Sequence, residues 1–170
     1  MLHRRLLAED AAAYIALREE ALTVAPLAFE ASPGEDFAAQ PETLAAHLAG
    51  APERAIFGTF EPRLVGIAGV FRDQRPKTAH KAHVWGMYVK RERRRQGHAR
   101  AMLAAAIAQA KAMPGVCWLH VCVTSAAPEA RALYESAGFV GWGAEPDALR
   151  HEGESATYFH LAMPLGCGAA

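Results

Sequence analysis

Hydrophobic positions recur along this chain at two periods, and each change of period marks a new element. Leu2 to Leu7 predicts a short first strand. From Glu9 to Val24 the spacing becomes helical, with Tyr14, Leu17 and Ala21 on one face beside Ile15 and Leu22, and Asp10 is placed to cap that helix. Pro26 ends it, and residues 25–40 read as a loop or broken helix. Pro41 then suits the first turn of a second helix reaching about Ala49.

Beyond Gly50–Pro52 the pattern turns to strands. Ala55–Phe60 and Leu64–Phe71 flank Glu61-Pro62-Arg63, a hairpin turn, and Lys81–Val89 follows the Asp73–Thr78 loop. A long helix spans about His98 to Met113, with Leu103, Ala106, Ile107 and Ala110 as its apolar stripe and Pro114-Gly115 as its stop. Cys117–Thr124 alternates, with Leu119, Val121 and Val123 on one face. Pro128–Ser136 is a helix closed by Gly138. Val140 to about Leu149 and Ala156–Leu165 form a final hairpin across residues 151–155. With no repeat, low-complexity tract or linker, the order predicts one mixed α+β domain over residues 1–170.

Composition narrows the function classes. Lys plus Arg and Asp plus Glu number 18 each, so no global charge draws the chain to nucleic acid or to an anionic membrane. Hydrophobic residues make up 52% of it, yet no apolar run approaches the ~18 residues that would span a bilayer. The start, Met-Leu-His-Arg-Arg-Leu-Leu, lacks the apolar core of a signal peptide. Cys117, Cys122 and Cys167 suggest neither a zinc site nor a disulfide framework and read as incidental thiols in a reducing cytoplasm. No H-x-x-x-H or H-E-x-x-H spacing suggests a metal.

The chemistry concentrates in the stretch from Trp85 to Arg100, where a strand ends, a basic loop follows and small residues open a helix. A helix N-terminus offers unpaired N–H groups and partial positive charge, so it binds phosphate where the backbone can be approached. Gly97 removes the obstructing side chain, Ala99 adds little bulk, and Arg94, Arg95 and Arg100 surround the spot. These features describe a diphosphate site. Neither a dinucleotide fingerprint nor a Walker loop is present. A nucleic-acid patch fits poorly at a strand–helix junction in a chain of zero net charge.

Arg94-Arg95-Gln96-Gly97-His98-Ala99 resembles the Q/R-x-x-G-x-G/A signature of the GNAT superfamily of N-acetyltransferases. Ala130-Arg131-Ala132-Leu133-Tyr134-Glu135-Ser136-Ala137-Gly138-Phe139 is similar to that family's second landmark, A-x-x-L-Y-x-x-x-G-F. The resemblance implies a central, mostly antiparallel sheet with a splayed parallel strand pair, flanked by about four helices. It implies acetyl-CoA as co-substrate and no metal. Backbone of Met87, Tyr88 and Val89 is then expected to face the acetyl group and pantetheine. Backbone N–H groups from Arg95 to Arg100, through Gln96, Gly97, His98 and Ala99, are expected to hold the pyrophosphate, with Arg94 and Arg131 as further donor contacts.

By the same resemblance Tyr134 is the acid that protonates the departing thiolate; a phenol (reference pKa ~10) does this through proximity more than driving force. The family often has Asn seven residues before that tyrosine, where this chain has Ala127, a poor cap; Ser125 is the expected substitute. No general base transfers by resemblance. His83 and Trp85 are expected on the acceptor side, joined by His120, with Phe29 and Glu30 as loop contacts to the substrate.

The expected reaction is direct attack of a primary amine on acetyl-CoA, since no nucleophile for a covalent intermediate stands out. A small-molecule amine is favoured, and Glu30, Glu35 and Asp36 point toward a cationic one. Acetylation of a protein N-terminus or lysine is the enzymatic alternative, and an acyl-CoA-binding sensor on the same fold is the non-enzymatic one. Family analogy favours a homodimer.

Overall fold

A computed structural model describes residues 2–36 and 39–166. Its elements, in chain order, are β1 (Leu2–Arg5), α1 (Ala11–Val24), α2 (Pro41–Leu48), β2 (Arg54–Phe60), β3 (Leu64–Arg72), β4 (Lys81–Val89), α3 (His98–Ala112), β5 (Trp118–Thr124), α4 (Pro128–Ser136), β6 (Val140–His151) and β7 (Glu154–Pro164). The strands form one sheet in the order β1-β2-β3-β4-β5-β7-β6. Every neighbouring pair is antiparallel except β4 and β5, which α3 joins as a crossover.

Each face of the sheet carries its own helices because each face is apolar for a different reason. On one face the α3 stripe of Leu103, Ala106 and Ala110, and Tyr134 of α4, pack on Val84, Leu119, Val121 and Leu161. On the other, Tyr14, Leu17 and Ala21 of α1 and Leu44 and Leu48 of α2 cover Ile56, Ile67 and Tyr88. Burying each of the larger aliphatic side chains contributes about 1.5–3 kcal/mol, so both helical layers are tied to the sheet by side chains of modest size.

Three local expectations need correction. Asp10 does not cap α1 from its own position. Residues 8–10 form a short 3-10 entry, and the Asp10 carboxylate accepts the Leu7 N–H (2.8 Å) and two bonds from Arg4 (2.6 and 2.8 Å). Those bonds from Arg4 hold its carboxyl below the usual range. The last hairpin turns more tightly than expected, through Glu152 and Gly153 alone, because His151 already pairs with Glu154. Cys117 is not a free thiol; Cys122 is free and exposed, and Cys167 lies outside the described residues. No described helix is long and apolar enough to cross a membrane.

Candidate active site

The parallel pair sets the site. β4 and β5 pair from Lys81 opposite Trp118 only as far as Val84 opposite Val121, although β4 runs on to Val89 and β5 to Thr124. A gap therefore opens beyond Val84. Just there, two steps on β3 (Ile67 to Gly69) face three on β4 (Tyr88 to Trp85), so β4 carries one extra residue. Gly86, at φ 60°, absorbs this β-bulge in a conformation that a side chain would strain. The bulge breaks the alternation of faces. Val84 and Met87 turn toward α3 and α4, while Trp85 and Tyr88 pack on the α1 face.

On the α4 side Tyr134 is only 4% exposed, and its hydroxyl lies 3.8 Å from the Met87 sulfur at the gap edge. Burial alone pushes its pKa well up, so the phenol stays protonated. After β4, Lys90 N–H bonds Val65 and the Arg94 guanidinium donates to the Val89 carbonyl at 3.1 Å. Arg95 and Gly97 take positive φ values of 63° and 88°, which turn the loop into α3. The helical ladder begins with Ala101 N–H to Gly97 C=O at 3.0 Å, leaving the N–H groups of His98, Ala99 and Arg100 without an intrahelical acceptor. A Cβ at Gly97 would meet nothing within 4 Å, and Arg94, Arg95, Gln96 and Arg100 are exposed around it. An open helix N-terminus ringed by arginines fits a diphosphate.

Some predicted donor contacts are engaged elsewhere. The His98 ring is buried away from this opening, at 2% exposure, 3.6 Å from Glu61 and 5.9 Å from the His3 ring, so only its backbone faces the loop. The Ser125 hydroxyl accepts Thr157 N–H at 3.1 Å, which ties β5 to β7, and Ala127 opens α4 without any side-chain cap. Arg131 pairs with Glu135 and lies 4.2 Å over the Phe159 ring. The Tyr88 hydroxyl donates to Glu20 at 3.0 Å, and its pKa is pushed up to about 12 by burial and by that bond.

Strand register lays out the opposite face. Phe71, His83 and His120 make one row; Gly69 and Trp85, then across the gap Cys122 and His160, make the next; Ile67 and Tyr88, then Thr124, Tyr158 and Glu145, make the third. Trp85 thus borders the gap, its indole lying over Gly69. His83 sits one row short of it, stacked on Phe71 at 5.0 Å and 3.2 Å from Asp73 without hydrogen-bond alignment. Burial first, then the neighbouring His83 and Lys81, lower the His120 pKa and keep that ring neutral. From the loop above, Glu30 lies near enough to Tyr158 to raise that phenol's pKa, after burial, and Phe29 lies under the Arg18 guanidinium at 4.6 Å. Burial, Glu30 and Glu145 push the Cys122 thiol up to about 11, leaving it about one part in ten thousand ionised at pH 7. That thiol is a poor nucleophile.

Sequence reasoning missed the wall residues Tyr158, His160 and Glu145. It also missed the bulge, although a glycine inside a strand pattern is a signal for one. Asp36 is not part of an acidic acceptor pocket: it is buried and paired with Arg18 at 2.8 Å. Glu35 is exposed. Among the described residues no group of three or more His, Cys, Asp or Glu is gathered in a way that could hold a metal.

The chain matches the family described as "Acetyltransferase (GNAT) family" over residues 15–139. It belongs to that family and is an acetyltransferase, with acetyl-CoA as the donor that the loop and gap fit. No curated protein matches it by sequence. Among solved structures it is similar to a GNAT-family acetyltransferase from Streptococcus pneumoniae (20% identity, 97% of this chain and 99% of that one, TM-score 0.84). It is also similar to a ribosomal-protein-alanine N-acetyltransferase from Brucella melitensis (19%, 96% and 99%, 0.78). A third likeness is to a phosphinothricin acetyltransferase from Sinorhizobium meliloti in complex with AcCoA (17%, 97% and 88%, 0.82). At these identities the likeness is one of fold.

Proposed function

We propose that the chain acetylates a primary amine of a small molecule, by direct attack across the β4–β5 gap, with Tyr134 as the general acid. The observation that carries this reading is the buried Tyr134 hydroxyl beside Met87 at the edge of the gap. The exposed loop from Arg94 to Arg100 holds the diphosphate of the donor, and β4 backbone from Met87 to Val89 lines its arm. The amine nitrogen bonds the thioester carbon, the carbon–sulfur bond breaks, and Tyr134 gives its proton to the departing thiolate. Burial raises the phenol's pKa, but it raises that of a thiolate in the same dry gap as well, so the transfer is not handicapped. The proton lost by the amine restores the tyrosine through solvent. Cys122, held as a thiol, takes no part.

A small acceptor is favoured because the loop bearing Glu30 lies close to Tyr158 of β7 on the acceptor side. A cleft of about 270 Å³ lies beside it, lined by Leu22, Pro26, Phe29, Glu30, Leu149 and His151 among others. The test is thiol release from acetyl-CoA against a panel of amines and N-terminal peptides, with Tyr134→Phe in parallel. Release that depends on a small amine and falls in the variant supports the proposal. Release only with peptides assigns a protein acceptor. Bound CoA without release in any arm would make the chain a sensor.

A further inference from the structure

Arg18 lies within α1, on the face turned to the sheet, and is only 7% exposed. Its Nε donates to Asp36 at 2.8 Å, and the guanidinium rests 4.6 Å over Phe29. Its Nη1 is buried and has no hydrogen-bond partner. That atom is 3.8 Å from where a Cβ on Gly86 would stand, so it points at the bulge where the gap opens, on the face that carries Trp85 and Tyr88. Leaving the two N–H groups of Nη1 unpaired on a permanent buried cation is costly, which favours an acceptor atom supplied by a ligand. The neighbouring carboxylates cannot supply it: Asp36 is taken by Nε, and Glu20 by Tyr88 and Lys90.

We infer that Nη1 of Arg18 binds a carboxylate on the acceptor, so that the substrate is an amino-acid-type molecule, a primary amine within a few bonds of a carboxylate. The inference rests on the transfer reaction proposed above and names its substrate class. Charge across the gap agrees with it. The α1–β4 side presents the free N–H of Arg18, while Glu30 and Glu145 give the β5–β7 side a negative potential felt by both Cys122 and Tyr158. A zwitterion fits with its carboxylate toward Arg18 and its amino group toward Glu30. A single guanidinium charge beside the paired Asp36, with two free N–H groups on Nη1, suits a monoanion better than a phosphate, whose second charge would face that carboxylate.

The experiment compares L-amino acids with their decarboxylated amines, for example methionine with 3-(methylthio)propylamine, as acceptors for the intact protein and for Arg18→Lys and Arg18→Gln. The charge-assisted hydrogen bond between guanidinium and carboxylate predicts at least a tenfold higher kcat/KM for the amino acid in the native protein. That preference should shrink about tenfold or more in the variants through acceptor KM, with the KM for acetyl-CoA unchanged. Arg18→Lys keeps a cation beside Asp36 and guards against a folding defect, which a thermal melt checks. Equal losses for both members of each pair would make Arg18 structural and overturn the inference, as would a native preference for the decarboxylated amine. If no acceptor of any class is acetylated, the transfer proposal fails instead. Calorimetry of amino acids on the CoA-loaded protein then decides the carboxylate site: binding lost in Arg18→Gln sustains it, and no binding overturns it.

Discussion

The two walls of the β4–β5 gap are built by different means. The wall proposed to hold the donor comes from one continuous stretch, strand then loop then helix, and offers chiefly backbone: positive φ at Arg95 and Gly97, and free N–H groups at the start of α3. The face proposed to take the acceptor is assembled from distant side chains, with Arg18 of α1 beside Gly86 on one side of the gap and Glu30, Tyr158 and Glu145 close together on the other. Backbone recognition needs a fixed local conformation and leaves a short sequence mark. Side-chain recognition needs only the fold and leaves none.

Substitutions can break this division, and the largest effect is expected at its centre. Tyr134→Phe should lower kcat by about 100-fold, the usual worth of a general acid, while CoA affinity measured by calorimetry stays within about twofold. A comparable loss of CoA affinity would mean the tyrosine is only a packing residue. Gly97→Val should raise the KM for acetyl-CoA by about tenfold or more, by straining the left-handed backbone and crowding the diphosphate approach, with acceptor KM unchanged in steady-state kinetics. Glu30→Gln should do the reverse, raising acceptor KM by about three- to tenfold and sparing the donor.

A smaller effect lies away from both walls. Asp10→Asn should cost about 1–2 kcal/mol at neutral pH in denaturant unfolding, discounted because Arg4 is partly exposed. The Asp10 carboxyl is depressed in the folded chain, so its contribution is complete above the ordinary aspartate pKa of ~3.9 and is lost as pH falls through the lower folded value. Native and variant stabilities should therefore converge only in acid. Smallest of all, Cys122→Ser should leave turnover nearly intact, because the thiol is scarcely ionised; a large loss would revive a covalent route.

This division also explains what could be read in advance. Period changes and the Pro and Gly stops located all eleven main elements, and the Arg94–Ala99 motif marked the loop proposed to hold the donor, because it is written in neighbouring residues. Asp10 went wrong through competition: its carboxylate serves Leu7 and Arg4 rather than its own helix start. His98 was expected at the helix start as a backbone donor, and nothing in the motif said that helix geometry turns its ring into the interior. Glu30 and Trp85 were expected on the acceptor side, but Arg18, Tyr158 and Glu145 were not legible, because strand register and helix packing decide them. Nothing local says that Tyr158 stands opposite Thr124, or that an α1 arginine reaches Gly86.

The crossover from β4 through α3 to β5 has a kinetic consequence. Its contacts are close in sequence, so the loop-closure entropy for forming it is modest, and this unit is expected to assemble early in folding. The proposed acceptor wall must also wait for the loop after α1 to reach β7, an approach far more distant in sequence than the β4–β5 or β5–β7 pairing. A folding chain would then acquire its grip on CoA before it could choose an amine, and the nucleotide would act as a ligand that draws the late steps to completion.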